Sequence, residues 1–64
     1  MKVKVQYTVK VDRFERIGIG NHIGKDEKAN RDDIKYFLEY NGVGALDDMS
    51  SYGQMIMKSE EDND

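Results

Sequence analysis

The chain has 64 residues, 36% of them charged, and a formal net charge of −3. A domain of this size buries only about 60% of the surface that its unfolded chain exposes, so few apolar side chains remain to wall a deep substrate pocket. The chain contains no cysteine, which excludes a disulfide framework, a thiolate nucleophile and a cysteine-based zinc site. We therefore expect one small domain that is not an enzyme and has no small-molecule substrate.

The charge is divided unevenly along the chain. Residues 1–31 carry a net charge of +4, whereas residues 32–64 carry −7. No stretch is apolar enough to span a membrane and the N-terminus lacks a signal-peptide pattern, so we expect a cytoplasmic protein with no membrane partner. Residues 59–64 are acidic and contain no apolar side chain. They are predicted to form a disordered tail after a single domain of residues 1–58.

Residues 1–12 alternate between apolar or aromatic side chains and charged or polar ones. The odd positions from Val3 to Val11 share one face, which predicts a half-buried strand with Tyr7 directed to the core. One solvated face is typical of antiparallel sheets. We therefore expect a turn at residues 12–15 and a return strand from Arg16 to Ile23, with its isoleucines inward and its glycines outward.

A helix is predicted after Asn30. Asn30 is a favourable N-cap residue, and Asp33 three residues later makes a variant of the capping box. Ile34, Phe37 and Leu38 recur at helical spacing. The dipeptide at 41–42, Asn-Gly, is typical of a helix C-terminus because both residues tolerate the left-handed conformation.

The remainder of the chain is predicted to complete the sheet. Residues 43–51 are expected to form a connection with one helical turn around residues 45–49, and Tyr52 to Lys58 a last strand of ambiguous parity. The predicted fold is thus an α+β domain of order β-β-α-β. It has a three-stranded, mainly antiparallel sheet with one helix packed on one face.

No motif indicates catalysis. The segment from Gly18 to Lys25 is not a dinucleotide fingerprint, because Ile23 stands where that motif needs glycine. It is not a P-loop either, because Asp26 stands where Ser or Thr is required. His22 is the only histidine, so a transition-metal site would depend on carboxylates for its other ligands. We expect no catalytic, cofactor-binding or metal-binding residue.

The predicted helix has a surface suited to a protein partner. Tyr36 and Tyr40 lie one turn apart beside the core stripe, and they either anchor an interface or cover the edge of the core. Asp32, Asp33 and Glu39 add negative charge. Our main hypothesis is a non-catalytic protein-binding or inhibitory, regulatory module; its size and charge are typical of small viral accessory proteins of bacteriophages. The acidic tail could fold back on the basic hairpin of its own chain or reach across to that of a second copy, and the second arrangement would make a homodimer.

An alternative hypothesis is a nucleic-acid-binding protein. Basic residues could line the exposed side of the first hairpin and neutralise phosphates. These residues are Lys2, Lys4, Lys10, Arg13 and Arg16. The acidic overall balance and the absence of an interleaved aromatic platform favour a simple solvated face instead.

Overall fold

The computed structural model describes residues 1–62, with side chains to residue 59. It contains a two-stranded antiparallel sheet followed by three helices. The elements are β1 (Lys2–Lys4), β2 (Thr8–Lys10), α1 (Arg13–His22), α2 (Arg31–Asn41) and α3 (Ala45–Asp62). The predicted β-β-α-β order with a three-stranded sheet is therefore wrong, because the segments expected to form the second and third strands are helical.

The N-terminal segment is a complete hairpin, where one long strand was predicted. Val3 pairs with Val9, and a turn at residues 5–7 joins the strands. Because this turn has an odd number of residues, odd positions face odd positions and the valines keep a common face. Val3, Val9 and Val11 are buried, as the alternation predicted, but Tyr7 beside the turn is 59% exposed. The predicted core position of Tyr7 is wrong because the chain reverses at this point.

Helix α1 begins where a turn between strands was predicted. The Asp12 carboxylate accepts a hydrogen bond from the Glu15 N–H, and the Glu15 carboxylate accepts one from the Asp12 N–H, each at 2.8 Å. This reciprocal capping box satisfies two otherwise unpaired donors and starts a helix at Arg13. The return strand predicted from Arg16 to Ile23 is therefore wrong, although this segment contains residues of modest helix propensity.

The tight crossing of α1 and α3 stabilises both helices. Gly18 and Gly53 are buried at the crossing, where a Cβ on either residue would come closer than 3.0 Å to the backbone of the facing helix. The Tyr52 hydroxyl adds a hydrogen bond to the Asn21 side chain. The strand predicted over Tyr52 to Lys58 is wrong, because this segment belongs to α3. Leu46, which is in the core, and Gly53, which packs against α1, are seven residues apart and so lie on one face of that helix.

Helix α2 confirms the predicted helix. The Asn30 side chain accepts from the Asp33 N–H at 2.9 Å, and Asp33 accepts from the Asn30 N–H at 3.1 Å. Its apolar stripe is buried, and Gly42 ends the helix with a φ of 81°. Asn30 thus caps the start of the helix through its side chain, and Gly42 ends the helix by adopting a positive φ, as predicted.

One apolar core joins the hairpin to the three helices. Its members are Val3, Val9, Val11, Ile19, Ala29, Ile34, Phe37, Leu38 and Leu46. Residues 59–62, assigned from the sequence to the acidic tail, lie within α3. Residues 63 and 64 of that tail lie outside the described residues.

Candidate functional site

Two tyrosines project from the solvent side of α2. Tyr36 is 62% exposed and Tyr40 is 75% exposed, and their ring centroids lie 4.8 Å apart with the planes tilted by 40°. The interaction with the Tyr40 hydroxyl raises the pKa of Tyr36 above its ordinary value. The pair packs against itself and not against the core, so most of its aromatic surface is open to a partner.

Two of the three predicted carboxylates belong to the same surface. Asp32 and Glu39 are exposed, and their positions relative to the tyrosines place them on the solvent side of α2. We call Asp32, Tyr36, Glu39 and Tyr40 the tyrosine face. Its members follow the spacing i, i+4, i+7 and i+8, so they form a continuous strip on the helix.

Asp33 has a structural role. Its carboxylate accepts the Asn30 N–H of the cap and lies 2.5 Å from the Lys25 ammonium. The hydrogen bond from Lys25 lowers the pKa of Asp33, and the same bond raises the pKa of Lys25. Asp33 therefore fixes the start of α2 and the preceding loop, and it is not part of the tyrosine face.

A cleft adjoins the tyrosine face where the hairpin turn meets the end of α2. Its volume is about 460 Å³, and its lining residues are Val5, Gln6, Tyr7, Leu38, Glu39, Gly42 and Val43. Sequence alternation missed Tyr7 because it placed this side chain in the core. One signal could have found it: a buried tyrosine hydroxyl needs a polar partner, which a small apolar core rarely offers.

The structure brings together part of the predicted basic strip. Lys2, Lys4 and Lys10 lie on the outward face of the hairpin, and Lys2 pairs directly with Lys10 across the strands. Arg13 is exposed at the start of α1. Arg16 is not available in the same way, because it is half-buried and its Nε donates to the Ala29 carbonyl oxygen at 3.1 Å.

A second cleft lies between α1, the loop before α2, and α3. Its volume is about 400 Å³, and it is lined by Ile17, Asn21, Lys25, Asp26, Glu27, Lys28 and Ile56.

The only histidine, His22, packs edge-to-face against the Phe37 ring, with 5.6 Å between the ring centroids. Within the described part of the chain, no three His, Asp or Glu side chains lie close enough to hold a metal ion. Over residues 1–62, no helix combines the length and apolar character needed to cross a bilayer.

The short connection between α2 and α3 raises the question of a DNA-binding helix pair. Residues 42–44 alone separate the two helices, as in helix-turn-helix motifs. In such motifs the start of the second helix approaches the DNA. Asp47 and Asp48 occupy the first turn of α3 and would repel phosphates. This pair of helices is therefore unsuited to the major groove.

In comparisons with known proteins, no family model matches the chain, and no curated protein and no solved structure matches it either.

Proposed function

We propose that this protein is a non-catalytic protein-binding module that acts through the tyrosine face of α2. The observation behind the proposal is the pair Tyr36 and Tyr40, which remains 62% and 75% exposed on a helix whose opposite side is fully packed. Tyrosine gives a large, rigid contact area at low entropic cost, and it is enriched among the residues that dominate binding energy. The module would act by occupying a surface of its partner.

The charges around the tyrosines favour a partner with a basic rim. Lys25 and Asp33 form the only ion pair in the described residues, so Asp32 and Glu39 are left without a cation within 4 Å. Exposed carboxylates of this kind steer association more than they add affinity. We expect the partner to offer an apolar groove for one helix face, with Lys or Arg at its border.

The test is capture of the partner followed by a measured affinity. A tagged full-length chain is used as bait in lysate of the cells that encode it, and the captured protein is identified by mass spectrometry and purified. The double variant Tyr36→Ala/Tyr40→Ala should weaken binding at least about 30-fold, since two such anchors commonly contribute 2 kcal/mol or more. Met55→Ala is the matched control, because it truncates a side chain that is 65% exposed on α3, outside the tyrosine face. It should change the affinity less than about threefold.

Two outcomes would contradict the proposal. One is equal affinity of the wild type and the double tyrosine variant for the captured protein, with unchanged circular dichroism. The other is the failure of photo-crosslinkers placed at Tyr36 and Tyr40 to label any protein, the chain itself included. Light scattering of the purified chain and of its double tyrosine variant shows whether the chain self-associates through the tyrosine face, which would make that face a homodimer interface.

A second candidate function is nucleic-acid binding by the hairpin. The observation that favours it is the outward cluster of Lys2, Lys4 and Lys10, in which two like charges are held directly opposite each other. Such a pair is mildly destabilising in a sheet, and a bound phosphate would relieve the repulsion. Duplex and single-stranded DNA and RNA should be retained at low salt and released steeply as salt rises. Retention unchanged in Lys2→Glu/Lys10→Glu would refute this candidate.

A further inference from the structure

The cleft beside the tyrosine face has an apolar floor. Val5 comes from the hairpin turn, Leu38 from α2 and Val43 from the connection to α3. Val5 and Val43 are only half-buried, so part of their apolar surface remains accessible. A volume of about 460 Å³ is ample for one long side chain of a partner together with neighbouring atoms. The floor favours an occupant with a substantial aliphatic portion.

The rim of the cleft is electrically negative. Glu39 lines it, and Lys35, which lies one turn before Glu39 on α2, does not form an ion pair with it. Helix α2 ends at the cleft, and the carbonyl groups of residues 39–41 accept no backbone hydrogen bond from residues 1–62. The last turn of α2 contains no basic residue to offset its negative helix-dipole end. The cleft therefore combines a carboxylate with the cation-favouring end of a helix.

An exposed aromatic ring completes this arrangement. Tyr7 lines the cleft from the hairpin side and is 59% exposed. Cations bind over aromatic faces, and a planar guanidinium stacks there more effectively than an ammonium. A guanidinium can also form two parallel hydrogen bonds with a carboxylate such as Glu39.

From these contacts we infer that the cleft binds an arginine side chain of the protein partner. The inference rests on the proposed function, because Glu39 belongs both to the cleft and to the tyrosine face. The aliphatic stem of the arginine lies on Val5, Leu38 and Val43, and its guanidinium meets Glu39 and stacks on Tyr7. The arginine site thus gives a binding role to the cleft beside the tyrosine face.

The experiment is an NMR titration of the ¹⁵N-labelled full chain with arginine blocked at both termini. Blocked citrulline is the matched ligand control, since it has nearly the same shape without the charge. Blocked arginine should shift the amide signals of residues 5–7 and 38–43 with a dissociation constant of roughly millimolar order. Glu39→Gln should weaken binding about tenfold, as should Tyr7→Ala. Glu27→Gln, in the second cleft, should leave the affinity unchanged.

The inference is overturned if citrulline shifts the same signals with equal affinity, or if arginine shifts none of them at its solubility limit. A thermal melt of each variant shows whether it is folded, and a conservative Tyr7→Phe variant should keep binding, since the ring remains. Tyr36 and Tyr40 do not line the cleft. Arginine binding that persists in Tyr36→Ala/Tyr40→Ala therefore supports the cleft independently of the partner-capture result.

Discussion

Substituting Gly53 by alanine should destabilise the protein by separating α1 and α3. A Cβ at position 53 would lie 2.7 Å from the Phe14 carbonyl carbon and closer still to its oxygen. Both groups are backbone, so neither can rotate away as a flexible side chain could. The added methyl group can be accommodated only if the two helices move apart.

The expected magnitude follows from two opposing effects. Overpacking a well-packed site costs about 1–3 kcal/mol, while alanine in a helix gains roughly 0.5–1 kcal/mol over glycine. Because the clashing atoms are backbone, the cost lies in the upper part of its range, about 2–3 kcal/mol, and the net loss is about 1–2.5 kcal/mol in the free energy of unfolding. A domain of this length has only about 3–10 kcal/mol in total. With about 4–8 °C per kcal/mol, Tm should fall by roughly 4–20 °C.

The assay is thermal and urea unfolding followed by circular dichroism at 222 nm. Gly44→Ala is the matched control, because no atom lies within 4 Å of its Cβ position and its backbone is not left-handed. It should leave stability unchanged or raise it by up to about 1 kcal/mol. Gly18→Ala/Gly53→Ala should cost less than the sum of its parts, since the second methyl group enters a gap that the first has opened. If Gly53→Ala melts at or above the temperature of Gly44→Ala, the close helix crossing is refuted.

Three further outcomes test the hairpin and the cap of α2. Lys10→Glu should raise the free energy of unfolding by about 0.2–1 kcal/mol, because it places an opposite charge across from Lys2, and added salt should reduce the gain. Asn30→Ala should lower it by about 1 kcal/mol through loss of the cap, and an unchanged urea midpoint would contradict this. The pKa of Asp33 is lowered in the folded state by Lys25, so its contribution to the free energy of unfolding is present above the ordinary aspartate pKa of 3.8 and is lost as the pH falls through the lower folded pKa. Asp33→Asn should therefore show a shallower acid loss of stability than the wild type.

Helix α2 shows how far local signals extend. Asn30 and Asp33 form both bonds of a capping box, and Gly42 ends the helix in the left-handed region. All of these interactions join residues close in sequence, so a sequence pattern is enough to predict them. The inward direction of the hairpin valines was equally predictable, because a turn with an odd number of residues leaves the odd-numbered positions of both strands on the same face.

The sequence contains a signal for the start of α1, but the pattern of the residues that follow favours a strand. Asp12 and Glu15 have the spacing of a capping box, which indicates a helix start. The isoleucines and glycines that follow instead favoured a strand with one apolar face. Tertiary packing decided the outcome, because Gly18 has a structural use only when another helix backbone lies against it.

For the candidate site, the sequence by itself determined that Tyr36 and Tyr40 share the solvent side of α2, since helical spacing sets this position. Only the tertiary structure decided that Asp33 is bound to Lys25, that Arg16 holds the α1–α2 loop, and that Tyr7 lines a cleft. The physical reason is the separation in sequence between the groups that interact. Caps and helical faces depend on neighbours within a few residues, whereas helix crossings, ion pairs between segments and clefts depend on groups that meet only after the whole chain has packed.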